Sequence, residues 1–104
     1  EKKDTPVLEF GTLSIDLINH VVRRNGEIVK FTTTEYSLLT LLARNSGRVL
    51  THQFILEEIW GYGYLEQTQY LRVFIAQLRK KIEENPSNPT LLITESGIGY
   101  RFGS

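Results

Sequence analysis

At 104 residues with 40% hydrophobic side chains, the chain has apolar mass for one modest core and no room for a second folded unit. It has no cysteine, which excludes a disulfide framework and a thiolate metal site, and its two well-separated histidines make a poor ligand set. Twelve lysines and arginines balance twelve acids, and this net charge of zero weighs, at face value, against a nucleic-acid binder.

The first third reads as short β-prone runs, Leu8 to Phe10, Leu13 to Leu17, Val21 to Arg24 and Ile28 to Phe31, parted by Gly11, Asn19 and the pair Asn25-Gly26. Asn-Gly between two such runs is a strong hairpin signal, because both residues tolerate the positive φ of a type I′ turn. A four-stranded antiparallel meander is therefore expected. Thr32, followed three residues later by Glu35, has capping-box spacing. It predicts a helix that buries Leu38, Leu39 and Leu42 and ends at Asn45-Ser46-Gly47. A second helix is predicted from a cap at Thr51, burying Phe54 or Ile55 with Leu56, Ile59 and Trp60, and stopping at Gly61. After a loop from Gly61 to Gln67, a third helix is expected from Thr68 to Glu84, where Asn85-Pro86 halts it. Leu91 to Thr94 and Gly99 to Phe102 then read as a hairpin joined by Glu95-Ser96-Gly97-Ile98. The fold class is α+β.

The distribution of charge says more than its sum. Between Gln67 and Ile82 lie Arg72, Arg79, Lys80 and Lys81 and no acid. At about 100° per residue, Leu71, Phe74, Ile75, Leu78 and Ile82 form one apolar stripe, the core side of an amphipathic helix. The opposite side holds Gln69, Val73, Ala76, Gln77 and Lys80, bordered by Arg72 and Arg79 on one edge and by Tyr70 and Lys81 on the other. Such a mixture suits the edges of DNA bases. Glutamine pairs bidentately with adenine, valine meets the thymine methyl, alanine permits close approach, and arginine or lysine takes guanine or phosphate. Any surface helix is polar and basic to some degree, but here a helix precedes it across a short loop and a hairpin follows it. That is the order of a helix-turn-helix with a wing.

On these residues the chain resembles the C-terminal effector domains of OmpR/PhoB response regulators. The resemblance covers nearly the whole chain, through FTTTEYSLLTLLARNSGRVLT at 31–51, ILEEIWG at 55–61, YLRVFIAQLRKKIE at 70–83 and ITESGIGYRF at 93–102. The wording of the last two is similar to the potassium-responsive members. The resemblance implies a winged helix-turn-helix over residues 7–104, with an N-terminal four-stranded antiparallel sheet, three helices and a C-terminal β-hairpin wing. It also implies that residues 1–6 are the remnant of a linker to a receiver domain phosphorylated by a sensor kinase. Implied base contacts are Tyr70, Arg72, Val73 and Gln77. Implied phosphate contacts are Gln69, Ala76, Arg79 and Trp60, with Lys80 beside them, and implied wing contacts are Thr94 and Ser96. Some members carry arginine where this chain has Gln69, Ala76, Gln77 and Ser96, which implies fewer charged contacts and no arginine at position 96 to enter a minor groove. The loop residues Tyr62, Tyr64 and Leu65 correspond to the surface that meets RNA polymerase. An isolated domain is expected to be monomeric and to pair on a direct-repeat operator in the full-length form.

Several residues keep two readings. Trp60 is either a core anchor or a phosphate donor, His52 a solvated first-turn residue or a phosphate neighbour, and Arg23-Arg24 a solvated strand end or a contact for linker or receiver. The loop tyrosines either bind a partner or fold back on the helices. A winged helix that binds only protein is the rival class. No metal cluster, Gly-rich phosphate loop, nucleophile elbow or HExxH motif recruits a reaction, so no enzyme and no cofactor is expected. No apolar run nears the roughly 20 residues that span a bilayer, and Glu1 to Asp4 is no signal peptide. The expectation is a cytoplasmic protein and, with no methionine in the chain, a piece of a longer one.

Overall fold

In a computed structural model that describes residues 6–103, β1 (Val7–Phe10), β2 (Leu13–Asp16), β3 (Val21–Arg24) and β4 (Glu27–Val29) form an antiparallel meander in sequential order. The linker expected over residues 1–6 lies outside the described residues apart from Pro6. Asn25 and Gly26 take φ of 55° and 83°, the turn conformation that their identities require. Alternation along β2 turns Leu13 and Ile15 into the core and leaves Ser14 and Asp16 on the other face. The strand ends one residue before the expected Leu17. The Asp16 carboxylate accepts from the Ile18 and Asn19 amides at 3.0 Å each, which closes a turn where the ladder would have continued.

Helix α1 (Thr33–Arg44) starts as its spacing requires. The Thr32 hydroxyl accepts from the Glu35 amide and the Glu35 carboxylate accepts from the Thr32 amide, completing the capping box. Helix α2 (His52–Trp60) is capped by Thr51, whose hydroxyl accepts from the Phe54 amide at 3.1 Å. Of the two candidates in its first turn, Ile55 is the buried one at 0% exposure, while Phe54 is 41% exposed. Ile59 and Trp60 are half-buried. The loop after Gly61 contains a 3-10 turn, Tyr62–Tyr64. Helix α3 (Thr68–Ile82) stops two residues short of the expected Glu84. Glu83 is extended at φ −90°, ψ 142° and turns its carboxylate back to accept from the Thr90, Leu91 and Leu92 amides at 2.9, 3.1 and 2.7 Å.

One element departs from the sequence reading. The segment between the expected helix end at Asn45-Ser46-Gly47 and the cap at Thr51, for which the sequence predicts no element, contains a short strand, β5 (Val49–Thr51). It pairs with β7 (Gly99–Phe102), which also pairs with β6 (Leu92–Glu95), so the expected two-stranded hairpin is part of a three-stranded sheet ordered β5-β7-β6. Three residues alternating exposed, buried, exposed are too short a pattern to read as a strand. The pairing brings backbone so close that a side chain at Gly99 would overlap the Leu50 carbonyl, which is why glycine stands there.

The core joins Leu13, Ile15 and Val22 of the meander, Leu38, Leu39 and Leu42 of α1, Ile55 and Leu56 of α2, the apolar stripe of α3, and Leu92, Tyr100 and Phe102 of the second sheet. Around it, cations tie elements together. Lys81 Nζ meets Glu35 Oε1 at 2.7 Å and the Lys30 carbonyl at 2.9 Å and lies 5.0 Å from the Phe31 ring centroid, so the end of α3 is bound to the start of α1. Arg24 donates to the Lys81 carbonyl at 3.2 Å, which gives that residue a structural partner in place of a solvated strand end. Among the described residues, no helix is long and apolar enough to cross a membrane.

Burial pushes the Glu35 carboxyl up, but the Lys81 ammonium and the Thr32 amide outweigh it and hold the group below its ordinary value of 4.5. Stability linked to this carboxylate is therefore fully present above pH 4.5 and is lost as pH falls through the lower folded value. Glu35→Gln keeps a capping-box acceptor but gives up the ion pair. It is expected to be less stable than the parent at pH 7 and to lose less stability below pH 4.5, as measured by urea unfolding at stepped pH.

Candidate nucleic-acid interface

Burial of Leu71, Ile75, Leu78 and Ile82 fixes the rotation of α3 about its own axis. Gln69, Tyr70, Arg72, Val73, Ala76, Gln77 and Lys80 are consequently exposed together on the outward side. Val73 is 47% exposed, an uncommon place for a β-branched apolar residue unless something covers it. Phe74, assigned by periodicity to the buried stripe, is only half-buried. It belongs instead to an aromatic group with Trp60 and Tyr70, whose ring centroids lie 5.1 and 5.3 Å from its own.

Beside this face stands the β6–β7 hairpin, held by Arg79. Its Nε and Nη2 donate to the Leu92 carbonyl at 3.0 and 2.8 Å, and Nη2 also donates to the Thr94 hydroxyl at 2.8 Å. Two of the expected site residues, Arg79 and Thr94, are thus joined to each other across the helix and the hairpin. Between them runs a cleft of about 370 Å³ whose lining includes His52, Arg72, Arg79, Thr94, Ser96 and Tyr100 and no carboxylate. Burial pushes the Tyr100 phenol up, against the opposing pull of the Arg72 and Arg79 guanidiniums. His52 meets the Tyr100 ring edge-on at 5.5 Å. The cleft is electropositive and rich in donors, the chemistry that receives a phosphodiester.

The structure brings together most of the residues read from the sequence and separates one. Lys81, counted within the basic segment, is turned away to Glu35 and Lys30, so the outward face keeps Arg72 and Lys80, with Arg79 shared with the hairpin. Trp60 lies in the aromatic group, 5.1 Å from both Tyr70 and Phe74. Tyr62 is 74% exposed, Tyr64 is 42% exposed, and Leu65 is half-buried on the same loop. Tyr100 was absent from the expected site, and His52 entered it only as an alternative. They reach the cleft from β7 and the first turn of α2, and no local spacing relates either to α3.

The bonds of Arg79 make a distinction that can be measured. Arg79→Ala removes the partner of the Leu92 carbonyl and is expected to destabilise the fold by about 1–3 kcal/mol. Lys80→Ala, exposed and outside these contacts, is expected to change stability by less than about 0.5 kcal/mol. Equal losses in chemical denaturation would show that Arg79 does not brace the hairpin.

Comparison with known proteins agrees with this architecture. The family model described as "Transcriptional regulatory protein, C terminal" matches residues 17–102. The transcriptional regulatory protein KdpE of Mycobacterium tuberculosis H37Rv is 46% identical over 99 residues, covering 95% of this chain and 44% of the relative. The KDP operon transcriptional regulatory protein KdpE of Escherichia coli K12 is 41% identical over 97 residues, covering 93% of this chain and 43% of the relative. The chain therefore spans less than half the length of these relatives. Among solved structures, the response regulator DrrB of Thermotoga maritima, an OmpR/PhoB homologue, superposes with a TM-score of 0.87 at 31% identity, over 99% of this chain and 46% of that one. The DNA-binding domain of RstA from Klebsiella pneumoniae, solved in complex with the RstA box, gives 0.85 at 31% identity over 93% of this chain and 96% of its own. With the α3 face, the latched hairpin and the meander all in place, the chain belongs to the family of transcriptional regulatory protein C-terminal domains and has the winged helix-turn-helix fold of the OmpR/PhoB response regulators.

Proposed function

We propose that this domain binds double-stranded DNA sequence-specifically and regulates transcription as the output module of a two-component response regulator. The observation that carries the reading is the exposed α3 face of mixed hydrogen-bonding, apolar and basic groups, set beside an electropositive cleft and a hairpin that Arg79 holds in place. Tyr70, Arg72, Val73 and Gln77 then face base edges in the major groove. Gln69, Trp60, Ala76, Arg79 and Lys80 lie along the phosphates, and Thr94 and Ser96 approach the adjoining backbone from the wing. The glutamine amide of Gln77 and the methyls of Val73 favour a half-site containing A·T pairs.

The wider assembly follows from the same reading. A receiver domain phosphorylated by its sensor kinase would bring two copies together on a direct repeat, in the cytoplasm, with the isolated domain monomeric. Tyr62, Tyr64 and Leu65 would present the surface for RNA polymerase, and the KdpE relatives support potassium-transport genes as the regulated set.

Fluorescence anisotropy across a salt series tests the core of this. With Arg72, Lys80 and Arg79 as the cations at the interface, a plot of log affinity against log salt is expected to fall with a slope of about −2 to −3, at roughly 0.9 per phosphate neutralised. Absence of binding to any duplex at low salt would favour the rival reading of a winged helix that binds only protein. Selection from duplexes randomised in one half-site is expected to enrich A·T pairs with the wild type and to lose that enrichment with Gln77→Ala. An all-G·C core chosen equally by both would end the A·T assignment.

A further inference from the structure

Aromatic rings run without a break from the loop after α2 to the outward face of α3. Tyr64 stacks on Tyr70, with ring centroids 6.3 Å apart and 26° between planes. Tyr70 meets Trp60 at 5.1 Å and Phe74 at 5.3 Å on its other contacts. Both tyrosines are 42% exposed, so Tyr70 is supported by Trp60 and Phe74 from within the fold and by a residue of the loop from outside it. On the same loop, the nearby Glu57 carboxylate of α2 pushes the Tyr62 phenol up.

A tyrosine has two side-chain torsions, and an exposed one samples several rotamers unless neighbours exclude them. Trp60 and Phe74 limit how far the Tyr70 ring can fold inward, and Tyr64 covers it on the loop side. Aromatic pairs at these separations are favourable beyond the area that they bury. We propose that Tyr64 is a positioning residue for DNA reading: by stacking on Tyr70 it holds that ring in the orientation offered to the bases, so loop conformation and base preference are set together. This role rests on the reading that Tyr70 faces base edges. It follows that a partner which draws Tyr64 off Tyr70 changes what α3 selects, and that a bound duplex biases the loop toward one shape.

The test uses the 104-residue chain. Wild type, Tyr64→Ala, Tyr64→Phe, Tyr70→Ala and the double alanine variant are compared on a duplex library randomised over one half-site, and then by affinity for the duplex selected by wild type. Tyr64→Ala is expected to lose roughly three- to tenfold in affinity. It should flatten base preference at the pair where Tyr70→Ala also flattens it. Tyr64→Phe keeps the ring and is expected to retain both properties. The double variant is expected to be no weaker than Tyr70→Ala alone, because the loop tyrosine acts through its neighbour. Wild-type preference in Tyr64→Ala, with preference lost in Tyr70→Ala, overturns the positioning role, as do fully additive losses in the double variant. No change in Tyr70→Ala overturns the base-contact reading itself, and the positioning role with it. If Tyr64→Ala melts early by circular dichroism, Tyr64→Leu keeps apolar bulk without an aromatic plane. It is expected to show the same flattened preference, and wild-type preference in that variant overturns the proposal.

Discussion

The apolar stripe of α3 is the constraint on which the rest of the structure depends. Leu71, Ile75, Leu78 and Ile82 are buried against the other helices, the meander and the second sheet, and each such burial stabilises by about 1.5–3 kcal/mol. Turning the helix by one residue position would bring Arg72 or Arg79 toward the core and carry Leu71 or Leu78 into solvent. Burying an unpaired charge costs far more than any surface contact returns. The outward display of Tyr70, Val73, Gln77 and Lys80 is thus the complement of a packing requirement. A binding face made this way is rigid, because moving it means unpacking the core.

Charge is used first to join elements and only then to meet a ligand. Lys81 ties α3 to Glu35, Arg24 ties β3 to the Lys81 carbonyl, Arg101 pairs with Glu95 across the hairpin at 3.0 Å, and Arg79 grips Leu92 and Thr94. Glu83, 2% exposed, satisfies the backbone amides that lead into β6 and so anchors the hairpin at its base. A net charge of zero is compatible with an electropositive cleft because Glu35 and Glu83 are buried and bonded within the fold, Glu95 is paired with Arg101, and none of the three lines that cleft. Few cations are left on the outward face, which also displays neutral groups such as Gln77 and Val73.

The hairpin and the loop bracket α3 from its two sides by different physics. Hydrogen bonds from a guanidinium fix the hairpin, and they tolerate little displacement because a buried carbonyl would lose its partner. Aromatic contacts hold the loop, and they are softer in geometry, so a ring can slide while keeping most of its contact. The helix therefore has one firm neighbour and one adjustable one.

Local chemistry made much of this legible beforehand. The Thr32 and Thr51 caps, the Asn25-Gly26 turn, the meander, the inward stripe of α3 and the terminal hairpin each depend on residues within a few positions of one another, and all form, with Phe74 leaving the stripe and the fourth strand running over Glu27–Val29 instead of Ile28 to Phe31. Strand β5 did not show, because what makes Val49–Thr51 a strand is pairing with Arg101, Tyr100 and Gly99, some fifty positions away. Nor did the ends of β2 and α3, where the Asp16 and Glu83 carboxylates recruit backbone amides that would otherwise have lacked a partner. Sequence by itself determined the three helices, the meander, the terminal hairpin and which side of α3 faces out, since period and capping are properties of neighbouring residues. Only the tertiary structure decided that Lys81 leaves the basic set, that Arg79 latches the wing, that His52 and Tyr100 enter the cleft and that Tyr64 covers Tyr70. Those outcomes turn on distances between side chains far apart in the chain, which no local pattern encodes.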